Sequence, residues 1–124
     1  MEEHSVLISV PLEEADAIVS HAVTGWRWGA RRLSKEVETK PDGLVQIIGH
    51  YELNHNVVER YALETRVEEC KDGALVFWRY SGTGEELMMA SPRLIDFLQN
   101  GIAKALRPYQ KTEKASAWSR LFGC

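Results

Sequence analysis

Three turn signals cut residues 31–80 into four alternating segments, and they constrain the fold of this chain more than any other feature. They are Lys40-Pro41-Asp42-Gly43, Asn54-His55-Asn56 and Lys71-Asp72-Gly73. Proline presets φ, and Asp-Gly tolerates the positive φ that a tight reversal needs. The flanking segments read as strands. Arg31–Thr39 carries Leu33 and Val37 on one face, against Arg32, Ser34, Glu36 and Glu38 on the other. Leu44–Leu53 is apolar on both sides and reads as an interior strand. Val57–Glu69 alternates Val57, Tyr61, Leu63 and Val67 with Arg60, Glu64, Arg66 and Glu68, the pattern of a sheet with one wet face. Ala74–Tyr80 is the fourth, aromatic-rich strand.

Before this meander, His4–Val10 alternates as a short strand that Pro11 ends. Leu12–Thr24 then places Leu12, Ala15, Ile18, Val19, Ala22 and Val23 at helical spacing. Glu13, Glu14 and Asp16 occupy the first turns, where the helix dipole favours acids, and Gly25 is the stop. After the meander, Ser81–Ala90 reads as a loop. Ser91-Pro92 reads as an N-cap followed by proline at the first helical position. Leu94, Leu98, Ile102, Ala105, Leu106 and Tyr109 continue as an apolar stripe that frays at Pro108, and Gly101 within it suggests close packing on the sheet.

The expected fold class is α+β: a curved antiparallel sheet of four to five strands in the order β-α-β-β-β-β-α, with two helices on one face. The first strand is expected at an edge. With 124 residues, 44% hydrophobic and 27% charged, the chain supports one domain over residues 1–110. A polar tail, 111–124, ends in an apolar patch of Trp118, Leu121 and Phe122. That patch is open to a docking or dimer contact, to disorder, or to packing back on the domain.

The sequence narrows the function classes further. No apolar run is long enough to span a bilayer, and the acidic N-terminus is unlike a secretory signal. Cys70 and Cys124 make neither a disulfide scaffold nor a zinc spacing, so a cytoplasmic, reducing location is expected. A net charge of −3 argues against bulk nucleic-acid binding, though not against a local basic patch.

The sharpest local feature is Gly25-Trp26-Arg27-Trp28-Gly29-Ala30-Arg31-Arg32. Two indole faces and three guanidinium forks suit stacking and the recognition of phosphate or carboxylate. Trp26, Arg27, Trp28, Arg31 and Arg32 are therefore the candidate binding residues, at least one tryptophan and two arginines being expected at the surface. In the competing reading the tryptophans cap the core while the arginines pair with Glu36, Glu38 and Glu64. His50, Glu52 and His55 could approach one another near a turn, but they match no familiar metal spacing. No metal, cofactor or catalytic residue is assigned. Cys70, beside Glu68 and Glu69, would be a poor nucleophile, and Gly82-x-Gly84 lacks a phosphate-loop lysine.

The opening VLISVPLEEADAIVSHAVTGWRWGARR is similar to small uncharacterised proteins of phages and mobile elements. In that family a strand and an acidic helix run into a Thr/Ala-Leu-Glu-Gly-Gly segment and an aromatic pair; Ala22–Trp28 takes that place here. The family's closing Leu-Leu-Lys-Gly-Ile helix resembles Leu94–Ile102. This chain lacks the second glycine and has a longer meander. The resemblance implies a small intracellular accessory protein. The expected function is a non-enzymatic binding protein that occupies a host macromolecule, for instance a defence component, with a protein as partner and a homo-oligomer also compatible. The element order also resembles an abbreviated helix-grip domain. On that alternative, Trp78, Tyr80, Phe97 and Ile102 would hold an apolar or nucleotide-like ligand. An enzyme using His50 and Glu52 is the third reading.

Overall fold

In the computed structural model, residues 3–55, 59–88 and 90–110 are described. The elements are β1 (His4–Ile8), α1 (Leu12–Thr24), β2 (Ala30–Thr39), β3 (Val45–Asn54), β4 (Arg60–Cys70) and β5 (Gly73–Tyr80). A short α2 (Gly84–Met88) follows, then a closing helical run. That run is α3 (Pro92–Asp96), a π turn (Phe97–Gly101), α4 (Ile102–Leu106) and a 3₁₀ turn (Arg107–Tyr109). The five strands form one antiparallel, open sheet in the order β1-β5-β4-β3-β2. As the alternation predicts, β1 joins at an edge and the fold is α+β. The turn residues account for the reversals: Gly43 and Gly73 take φ of +87° and +149°, which residues with a Cβ rarely adopt. Val57 and the tail 111–124 lie outside the described residues.

One sheet face carries the core. Strand alternation puts Val6 and Ile8, Val76 and Trp78, Leu63 and Val67, and Tyr51 and Leu53 on that face. Against them pack Ala15, Val19 and Val23 from α1, and Leu94, Leu98, Ile102 and Leu106 from the closing run. Each such leucine or isoleucine contributes about 1.5–3 kcal/mol by leaving water. In an unbroken α-helix a four-residue repeat drifts about 40° per step. The wider π turn takes up this drift, so Leu94, Leu98, Ile102 and Leu106 all reach the core. The indole of Trp78 donates from Nε1 to the Leu98 carbonyl at 2.8 Å, satisfying a buried donor and fixing the run's height over the sheet.

Several local expectations change. Ser81–Ala90 is not all loop, because Gly84–Met88 is helical. Thr83 and Glu86 form a capping box: Glu86 N donates to Thr83 Oγ1 at 3.2 Å, and Thr83 N donates to Glu86 Oε2 at 3.4 Å. Ser91 caps the next helix as its sequence suggests, accepting from Leu94 N at 3.2 Å with Pro92 in the first turn. Gly101 makes room within its own helix: a Cβ there would lie 2.8 Å from Cδ1 of Phe97.

The largest departure is in β2. The register slips between Arg32 and Ser34, a β-bulge that adds one residue and reverses the in–out alternation. Arg32, just before the bulge, pairs across from Tyr51 on the core face; Val37, after it, pairs with Ile47 on that same face, yet both it and Leu33 are exposed. Arg32 ion-pairs with Asp16 of α1, which is buried and does more than complement a helix dipole. Gly49 on β3 provides the space, since a Cβ there would come within 2.7 Å of both Arg32 Nη2 and Thr65 Oγ1.

Candidate functional site

The connection from α1 to β2 builds the site. At the end of α1, Gly25 N donates to the His21 carbonyl and Trp26 N to the Val23 carbonyl, both at 3.1 Å, so the chain turns sharply out of the helix. The turn sends the two tryptophans in different directions. Trp26 is 5% exposed, with Nε1 donating to the Asn54 carbonyl at 2.6 Å and its ring 4.8 Å from that of Phe97. Trp28 is 37% exposed and meets Trp26 and His55 edge-on, each at 5.1 Å. The Arg27 guanidinium lies 4.7 Å above the Trp28 ring, in cation–π range.

Between this connection and the closing run lies an open cleft of about 580 Å³. Gly25, Trp26 and Arg27 form one wall; Pro92, Arg93, Asp96, Phe97 and Gly101 form the other. Phe97 and Gly101 bound the π turn, a distortion that often marks functional sites. Arg27 and Arg93 are exposed on opposite walls, while Asp96 is exposed and accepts from Asn100 Nδ2 at 2.9 Å. Neither arginine has an ion-pair partner among the described residues. The cleft thus combines an aromatic floor with two cationic forks, suited to an anionic group carried on a flat or apolar body.

The other arginines of the cluster are elsewhere. Arg31 is on the face away from the helices, with Nε 3.5 Å from Glu52. Arg32 is half-buried on the core face, committed to Asp16. Burial alone would lower the Arg32 pKa, but the Asp16 carboxylate, with Tyr51 and Glu13, carries it above its ordinary value. The five residues therefore do not form one surface; Arg27 and Trp28 remain available. The carboxylates that meet Arg31 and Arg32 are Glu52 and Asp16, not Glu36, Glu38 or Glu64. Glu64 pairs with Arg79 instead. Sheet register and the bulge set these partners, which sequence spacing does not reveal.

Of the alternative pocket, Trp78 and Ile102 are fully buried in the core, and Tyr80 joins them there. Its hydroxyl donates to Glu86 Oε2 at 2.7 Å. Only Phe97 faces the cleft. His50 and Glu52 lie on the outer face of β3, whereas His55 packs against Trp28 beyond the strand end. Among the described residues no three His, Cys, Asp or Glu side chains could jointly hold a metal. Cys70 is not a free thiol, so its nucleophilicity does not arise as read from the sequence. No described helix is long and apolar enough to cross a membrane. The opposite wall of the cleft is the part that sequence reasoning missed. Its signals were the Ser91-Pro92 cap, which fixes where Arg93 starts, and the glycine inside the last helix.

No family model, curated protein or solved structure matches this chain.

Proposed function

We propose that this chain is a non-enzymatic binding protein that engages a macromolecular partner through the Trp26–Arg27–Trp28 edge and the cleft beside it. One observation carries the reading: the arginine stacked over an exposed tryptophan lines an open cleft, and on the opposite wall stands a second arginine with no ion-pair partner among the described residues. Arginine and tryptophan are the side chains most enriched at interface hot spots. Trp28 is held edge-on by Trp26 and His55, so little rotamer freedom is lost when it is covered. The partner is a protein surface bearing carboxylates or phosphates. The resemblance to phage and mobile-element proteins makes a host macromolecule, such as a defence component, the first class to try.

Arg27→Ala and Trp28→Ala test this together: retention of a partner from bacterial lysate is lost while thermal melting is unchanged. Unchanged capture, or lost stability, overturns it.

A second reading has its own observation. The cleft volume of about 580 Å³ is in the range of small-ligand sites, and its floor of Trp26 and Phe97 is apolar. A helix-grip-type protein would then hold a small anionic aromatic ligand at this rim, not deep between the sheet and the closing helix. A small molecule retained through purification and released by Phe97→Ala favours this reading over the first.

A further inference from the structure

The sheet face away from the helices has its own apolar corner. On β1 and β5, Leu7 stands opposite Leu75, which in turn faces Glu68 on β4. This row points away from the helices, because the neighbouring row Val6–Val76–Val67 belongs to the helix-covered core. Leu7 is nevertheless only 1% exposed, and it is not a member of that core cluster. Phe77 and Ile48 share the same face with Arg66 between them, its guanidinium 4.3 Å over the Phe77 ring. By the same alternation Cys70 belongs to this face; it is 9% exposed and is not a free thiol. An outer face carrying Leu7, Leu75, Phe77, Ile48 and Cys70 would not ordinarily be left to water.

The chain leaves the described structure at this corner. Gln110 bridges Ile8, and Ser9 N donates to the Tyr109 carbonyl at 2.8 Å. Gly73, which pairs with Cys70, packs against the Ile8 carbonyl. Cys70 on β4 is therefore three strand spacings from Gln110, across β1 and β5, about 14 Å at ordinary strand spacing. Residues 111–124 follow, long enough to cross that distance several times at roughly 3.3 Å per residue. They carry Trp118, Leu121 and Phe122, three basic residues against one acidic, and the sequence's other cysteine, Cys124. The chain as a whole is acidic, with a net charge of −3.

We propose that the outer face at the β1–β5–β4 corner is the docking surface for the chain's own segment 111–124, which a disulfide between Cys70 and Cys124 locks in place. Trp118, Leu121 and Phe122 cover Leu7, Leu75 and Phe77. The lock forms by thiol–disulfide exchange with a small disulfide such as oxidised glutathione. In two successive exchanges one cysteine thiolate displaces a small thiol to give a mixed disulfide, and the other cysteine displaces the second. One small S–S bond thus breaks, the protein S–S bond forms, and the electron pair and two protons leave with two small thiols. In a reducing compartment the same segment docks without the lock and can be released.

Two measurements test this. First, the full chain, refolded with a glutathione redox pair, is denatured without reductant and its thiols are titrated. None is expected, and two titratable thiols overturn the lock. Second, Cys124→Ser leaves Cys70 as the lone thiol, and its alkylation by iodoacetamide reads the cover directly. Alkylation is expected to be at least about tenfold slower than in the same variant ending at Gln110. Equal rates overturn the docking. If the shortened chain fails to fold, Phe122→Ser in the Cys124→Ser background makes the same comparison. A disulfide-linked dimer in the first experiment overturns the proposal in favour of a second copy of the chain.

Discussion

Arg32 of β2 closes a two-pronged ion pair with Asp16 of α1, its Nη1 and Nη2 donating to Oδ2 and Oδ1 at 2.8 and 2.9 Å. The carboxylate is almost wholly withdrawn from water and the guanidinium largely so. The pair ties the long helix to the strand that follows the Trp26–Trp28 connection, so it holds both ends of the candidate binding segment. Arg32 Nε also donates to the Ser34 carbonyl at 3.1 Å, across the bulge that follows it.

Removing one partner leaves the other buried and uncompensated. Asp16→Ala is therefore expected to cost about 3 kcal/mol in urea unfolding, far more than a surface carboxylate. Glu13→Ala, whose carboxylate reaches the exposed Lys35 at 3.2 Å, should change stability by less than about 1 kcal/mol. Similar costs for the two variants would show that the Asp16–Arg32 pair does not anchor α1.

The two neighbouring tryptophans separate stability from binding. Trp26→Ala removes a buried ring and its bond to Asn54, and should destabilise by about 3–5 kcal/mol. Trp28→Ala should leave the unfolding midpoint within about 0.5 kcal/mol of the parent while weakening partner binding by about 2 kcal/mol. Calorimetric melting and a binding titration of both variants check this, and a loss of stability in Trp28→Ala contradicts it.

Gly49→Ala places a methyl group where Arg32 Nη2 and Thr65 Oγ1 already sit, the first held by its bond to Asp16 and the second fully buried. A loss of about 1–3 kcal/mol is expected by overpacking. The same change in an Arg32→Ala background should cost clearly less, because one of the two obstructing groups is gone. Equal costs in the two backgrounds would mean that Arg32 does not need the space.

Alkaline pH should weaken the fold through its tyrosines. Burial raises the pKa of Tyr51, Tyr61 and Tyr80 above the ordinary value of 10.0, and the Glu86 carboxylate raises that of Tyr80 further. A raised folded-state pKa contributes stability that is full below the unfolded pKa and is lost as pH rises towards the folded value. The melting temperature should therefore hold from pH 7 to about 9 and fall beyond about pH 10. Tyr80→Phe should flatten that fall. A melting temperature that rises above pH 10 would contradict the assignment.

Residues within a few positions of one another set most elements of this fold, and those elements are legible in the sequence. The meander follows from alternation between Asp-Gly turns, α1 from its apolar spacing and Gly25, and the start of the closing helix from Ser91-Pro92. The capping box at Thr83 and Glu86 was equally local, though it lies in a stretch whose glycines point to a loop. Tertiary structure alone decided which way β2 faces, because one bulged residue between Arg32 and Ser34 reverses every side chain after it. It also decided that Asp16 is buried against Arg32, and that Trp26 and Arg27 face Phe97 and Arg93 across a cleft. Those neighbours lie 16 to some 70 positions apart, and only the packing of helices on the sheet brings them together. The sequence determines where a chain turns and which stripes must be covered; the covering itself decides which charged and aromatic groups remain exposed for a partner.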